Sequence, residues 1–288
     1  MIIKRKLYSK KEEKDSSKKK GTSKSVAIGA GTVAAGQIGG LVLGKKFKKL
    51  LESESSEEGE KIFDKLKRYA ERKGVKVDEY TTTGMGPAYH KGTVYTDGTM
   101  HKGISIFGVN VAGGKTGKGR HGDLISHEIG HAHFDKGKAK GIGEKIGKAA
   151  HKVYLKGGAA QHSVIAPLAG IVAGVRSGKK KARLEEKGEK ESKLNRHSAW
   201  GTSLAVQTPG LVSEAAASKY GYNLMKKAGA SKKYLKGAKK NLIGAFGTYA
   251  ALAATNAGTG ELARGIAYKQ EKKKIEKAKK EKEEKEDK

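Results

Sequence analysis

The sequence predicts a mainly helical α+β protein with one small β-sheet. Three observations carry that prediction. Residues 51–73 repeat apolar side chains at helical spacing, with Ile62, Leu66 and Tyr69 or Ala70 on one face, and Gly74 ends the pattern. Residues 75–110 change period to short β-rich pieces (VKVDEY, GTVYTD, HKGISIFGV) separated by Gly, Pro and an Asp97-Gly98 turn. Four uncharged Gly/Ala-rich runs, 25–44, 157–175, 198–213 and 241–260, read as apolar helices.

Taken in order, residues 1–24 are Lys, Ser and Glu and read as a disordered basic arm. The run 25–44 is bounded by Lys24 and Lys45-Lys46. At about 1.5 Å per residue it is long enough to cross a hydrocarbon core about 30 Å thick. Its Gly36, Gly40 and Gly44 would let helices approach closely in lipid. A core follows over 51–229, with apolar helix insertions near 157–175 and 198–213. Within it, 112–122 is a Gly/Lys loop that lacks the ending of a phosphate-binding loop. A helix is expected from Gly122-Asp123 to about Asp135, and a second over 139–156. Pro167 and Pro209 interrupt two of the apolar runs. Residues 230–268 form a C-terminal apolar helix region, and 269–288 a Lys/Glu tail, either a solvated helix or disorder.

Composition bounds the partners. Lys and Arg total 61 against 30 Asp and Glu, a formal charge of +31. The cations gather beside the apolar runs and are not interleaved with aromatics, which favours an anionic lipid membrane over nucleic acid. The expected location is therefore a membrane, the alternative being a soluble cytoplasmic or virion-associated chain. The start, Met1 to Lys6, has no signal-peptide pattern. Cysteine is absent, which excludes disulfides and thiolate zinc sites and leaves His and carboxylate as metal ligands.

One segment speaks about chemistry. His127-Glu128-Ile129-Gly130-His131 is an H-E-x-x-H. On a helix, residues four apart share a face, so both imidazoles can bind one Zn²⁺ while Glu128 takes a proton from the zinc-activated water. The bland alternative is a helix with two surface histidines. A catalytic zinc needs a third protein ligand. His133, two residues on from His131, points to another face, and Gly137 stands where a longer signature would place a third histidine. The better candidate is Glu214, on a segment where Glu214, Ala217, Gly221 and Leu224 recur at helical spacing. Its small residues would let that helix pack closely on the first. Asp123 and Asp135 are candidates to orient the histidines. His162, His197, Tyr220 and Tyr222 are candidate oxyanion donors by residue type alone.

The pairing of His127-Glu128-Ile129-Gly130-His131 with Glu214-Ala215-Ala216-Ala217 resembles the zincin metalloproteases of the M48 type, the membrane quality-control and CAAX prenyl protease branches. The similarity spans roughly 85–229. It implies His127, His131 and Glu214 as zinc ligands and Glu128 as general base. It also implies a polypeptide substrate and apolar helices around a core facing the cytoplasm. Pro87-Ala88-Tyr89, Gly92-Thr93-Val94-Tyr95 and Gly103-Ile104-Ser105-Ile106 look like the family's strands, in which an edge strand binds substrate backbone. The departure is Ser218, where the family places an aspartate. With the Lys-rich ends, it marks a divergent branch, a mobile-element protein or a phage-borne one. The expected function is a membrane-associated zinc endopeptidase; the alternative is a non-enzymatic basic membrane-associated or virion structural protein.

Overall fold

The computed structural model describes residues 56–78, 88–90, 92–95, 104–106, 109–111 and 121–287. The expected arm over 1–24, the apolar run over 25–44, the Asp97-Gly98 turn and most of the 112–122 loop lie outside them. The elements follow in the order α1 (Glu57–Arg72), β1 (Lys76–Asp78), β2 (Ala88–His90), β3 (Thr93–Tyr95), β4 (Ile104–Ile106), β5 (Val109–Val111), α2 (Gly122–Lys136), α3 (Ile142–Ala160), a π-helical turn (Gln161–Ile165), α4 (Ala166–Glu186), α5 (Lys193–Lys227) and α6 (Lys232–Glu286). The fold class is the mainly helical α+β one that the sequence predicts. The described residues divide into two compact units, one of 163–206 and 254–287, the other of those between 56 and 162 together with 207–253. Helices α5 and α6 contribute to both.

In the second unit, α1 forms because each of its signals agrees. The Ser56 hydroxyl accepts from the Gly59 N–H at 3.1 Å, and Glu57, Glu58 and Glu60 oppose the positive end of the helix dipole. Ile62, Phe63, Leu66 and Ala70 form its buried face. Gly74, at φ 73°, turns the chain out of the helix. β1 pairs parallel to β3 and β2 pairs antiparallel to it, giving the order β1-β3-β2, so that Val94 of β3 is central and fully buried while β2 is an edge. β4 and β5 form a separate antiparallel pair. The core joins the apolar face of α1 to Val94, to Ile125, Ile129 and Ala132 of α2, and to Leu224, Met225, Leu235, Ala238 and Leu242. This packing leaves the other side of α2 to polar residues.

In the first unit, small residues decide the packing. A Cβ at Gly174 would lie 2.2 Å from the Gly260 carbonyl, and one at Gly178 would lie 2.2 Å from that of Arg264. Helix α4 is therefore pressed backbone to backbone on α6, with Ser177 and Ala182 buried beside them. Arg264 closes the unit with two 2.7 Å hydrogen bonds to the carboxylate of Glu191.

The membrane expectation is corrected. Among the described residues no helix is long and apolar enough to cross a membrane. The runs 157–175, 198–213 and 241–260 lie within helices, but Gly, Ala, Ser and Thr supply little transfer free energy. In the first unit those small residues serve close helix contact instead: Gly170 and Ser203 meet at the crossing that Gly260 also enters. The three described runs therefore supply no membrane-spanning helix, and the run 25–44 lies outside the described residues. Pro209 does not end its run either; it sits inside α5.

Candidate metal centre

Helix α2 begins where the polar loop ends, and its sequence divides around the axis. Ile125, Ile129 and Ala132 enter the core, whereas His127 and His131 share the opposite face one turn apart. Helix α5 lies across that face at backbone distance. A Cβ on Gly130 would stand 2.5 Å from the Ala217 carbonyl, and one on Gly221 would stand 2.6 Å from the Ser126 carbonyl. Two glycines at the crossing therefore let α5 deliver Glu214 and Ser218 to α2.

The result is a buried triangle. His127 Nε2 lies 3.1 Å from Glu214 Oε2 and 3.2 Å from His131 Nε2, and His131 Nε2 lies 3.5 Å from Glu214 Oε1. These three side chains can chelate a metal ion. A tetrahedral ion with bonds of about 2.05 Å sets its ligand atoms about 3.3 Å apart; the two contacts of His127 Nε2 come close to that value, and His131 reaches the other Glu214 oxygen. The chemistry agrees: two imidazoles and a carboxylate meet at one spot, a donor set that a cation would satisfy at once. His127 Nδ1 faces Ser218 Oγ at 3.1 Å. With Nε2 turned to the centre, Nδ1 carries the proton and donates it to that hydroxyl. Ser218 therefore stands where a carboxylate would be expected to orient the ring. The cluster has the donor set and spacing of a zincin-type metal-binding site.

Electrostatics follow from burial and proximity. Burial would lift the Glu214 carboxyl, but the His131 charge, hydrogen bonds to His127 and His131 and the His127 charge outweigh it and hold it well below the usual carboxylate range. Burial would depress the His127 imidazole, but its hydrogen bond to Glu214 and the charges of Glu128 and Glu214 raise it. In the metal-free chain the triangle thus holds a proton on His127 against an ionised Glu214. Glu128 is buried beside it at 7% exposure. Burial raises its carboxyl, the His127 and His131 charges oppose that, Glu214 adds to it, and the Tyr89 backbone N–H donates to it.

Residues around the triangle extend the site. His151, 1% exposed, stacks on His131 with ring centroids 5.2 Å apart, and its Nδ1 lies 2.9 Å from Ser213 Oγ. Burial first, then the His131 charge, brings its imidazole down to about 4. The Tyr154 phenol is pushed up to about 12 by burial and by the Glu214 and Glu128 charges. Tyr249 is raised well above the ordinary phenol value, first by Glu214 and then by burial. Both phenols stay protonated in the field of the two carboxylates. Sequence reasoning missed His151, Tyr154 and Tyr249, because they arrive from α3 and α6 and carry no motif.

Other candidates lie elsewhere. His133 stacks on Tyr220 at 4.0 Å and lies 3.7 Å from Glu144, and Tyr220 meets the Tyr69 hydroxyl at 3.3 Å. Tyr222 packs against the core of α1. His197 accepts from the Trp200 indole in the first unit. Asp123 accepts from the Leu124 N–H and from Asn241, while Asp135 accepts from the Tyr89 hydroxyl at 2.5 Å, so neither orients a ring of the triangle. The side chain of His162 lies outside the described residues. Comparison with family models, curated proteins and solved structures returns no match.

Proposed function

We propose that the protein is a zinc-dependent endopeptidase of the zincin type, with His127, His131 and Glu214 as zinc ligands and Glu128 as general base. The observation that carries this reading is the buried cluster of two imidazoles and a carboxylate, with donor atoms 3.1–3.5 Å apart and a second buried carboxylate beside it. The His-Glu-x-x-His pattern and the small-residue helix after Glu214 support a divergent member of the M48 type. Glycine replaces side chains where that helix crosses α2, which is what close delivery of a third ligand requires.

Bound zinc supplies Lewis acidity, acidifying water and polarising a carbonyl. The chain's residues do the rest. Glu128, raised by burial, takes the proton of the attacking water and returns it to the departing amine. The Tyr89 N–H fixes that carboxylate. Because Tyr89 lies on edge strand β2, its N–H is turned to the site, and the same edge suits an extended polypeptide substrate added as a strand.

Glu128→Gln separates the parts of this reading. The variant is expected to bind zinc at the wild-type stoichiometry while cleavage of an unfolded protein substrate falls by at least about a hundredfold. Unchanged cleavage at equal zinc content would remove Glu128 as the base. A wild-type chain that binds no zinc under competition with a weak chelator would remove the metal reading itself.

A further inference from the structure

The first unit carries a row of cations that the metal centre does not use. Arg176, Lys179, Lys180, Arg183 and Lys187 project from α4 and its C-cap at helical spacing, all exposed, and line one groove with Leu184. Their positions, i, i+3, i+4, i+7 and i+11, fall on one face. The opposite face, with Gly174, Ser177, Gly178 and Ala182, is locked against α6 at backbone distance, so the row is mounted on a rigid support.

The other charges of α4 are engaged away from this row. Glu185 pairs with Lys181 and accepts from the Tyr268 hydroxyl, and Glu186 pairs with Lys279. Arg183 reaches Glu271 at 2.7 Å. Among the described residues, Arg176, Lys179, Lys180 and Lys187 have no carboxylate within ion-pair distance. The helix dipole does not account for the row. Its field acts over the last turn, and Arg176, Lys179 and Lys180 lie further back. Four like charges held side by side repel each other until a counter-charge arrives.

We infer that this groove of α4 binds the phosphate backbone of a nucleic acid. From Arg176 to Lys187 the row runs about 16 Å at the helical rise. Duplex DNA carries one negative charge per about 1.7 Å of its axis, so it sets counter-charge along the whole row. Lysine and arginine on a helical face contact phosphate without reading bases, so recognition is of the backbone and not of sequence. An extended peptide, even if every residue were acidic, carries only one charge per about 3.3 Å, about half the duplex density.

The test uses the full chain and a fluorescein-labelled DNA duplex, with anisotropy read from about 50 to 250 mM salt. The wild type is expected to lose affinity steeply with salt. The triple variant Lys179→Gln, Lys180→Gln, Lys187→Gln, all at exposed positions, is expected to reduce the slope of log affinity against log salt by about 2.7. A control, Lys273→Gln, Lys280→Gln, Lys285→Gln, removes the same charge from the exposed end of α6 and is expected to leave the slope near the wild-type value. Circular dichroism melts check that both variants remain folded. Equal loss in variant and control would mean that net charge alone binds DNA and would overturn the groove. So would an unchanged slope in the variant, or poly-aspartate or phosphatidylserine vesicles displacing the duplex at matched charge concentration.

Discussion

At the scale of single residues, protons on the imidazoles compete with the metal. In the metal-free chain the His127 imidazole is raised above its ordinary value, because its hydrogen bond to Glu214 and the charges of Glu128 and Glu214 outweigh burial. A metal needs that nitrogen as a lone pair, so binding must release the proton. The direction follows: below the raised value of His127, protons compete and affinity falls; above it, affinity levels off. Zinc affinity, measured by competition with a chromophoric chelator, is expected to rise by at least about tenfold per pH unit below the raised His127 value and to flatten above it. Glu214, held ionised throughout that window, adds nothing to the slope. A flat profile from acid to neutral pH would mean that His127 carries no proton for the metal to displace. Ser218 bears on the same nitrogen pair: its hydroxyl orients the ring without adding charge, so His127 reaches the metal as a neutral ligand.

At the scale of elements, the site exists because two helices touch at their backbones. Neither α2 nor α5 holds the full donor set; their crossing at Gly130 and Gly221 assembles it. Gly221→Ala places a methyl 2.6 Å from the Ser126 carbonyl, and helix backbone cannot yield as a flexible side chain does. The helices must separate, at a cost of about 1–3 kcal/mol, and Glu214 and Ser218 withdraw from the histidines. The expected outcome is a lower melting temperature together with weaker zinc binding. Gly237→Ala is the control, since nothing lies within 4 Å of its added methyl. It sits within α6, where alanine favours helix by up to about 1 kcal/mol, so it should melt no lower than the wild type and bind zinc unchanged. Should Gly221→Ala match that control, the close crossing is not what builds the site.

At the scale of the whole molecule, what was legible followed periodicity and local motifs. The end of α1 at Gly74, the start of α2 at Gly122 and the histidine pair all follow from short-range pattern, because caps and shared faces are set within a few residues. Glu214 was legible because its helix offered a small face, a property of composition. His151, Tyr154 and Tyr249 were not, since their place depends on how α3 and α6 pack, and none differs locally from an exposed histidine or tyrosine. The apolar runs misled for a related reason: uncharged Gly/Ala sequence suits lipid and close helix packing alike, and Gly174 and Gly178 belong to the second. The first unit makes its own prediction through Glu191 and Arg264, 8% and 15% exposed. Burial would raise the Glu191 carboxyl, but hydrogen bonds from Arg264 and Asn195 and the charges of Arg264 and Lys181 outweigh it and lower it. A carboxyl lowered by folding stabilises the native state above its unfolded value, about 4.3, and loses that contribution as pH falls through its folded value. Glu191→Gln is therefore expected to lower the melting temperature by several degrees at pH 7, with the gap to wild type closing below about pH 4. A gap that stays constant from pH 7 to pH 3 would mean that the carboxylate charge is not what Arg264 holds, and that amide-like hydrogen bonding alone closes the unit.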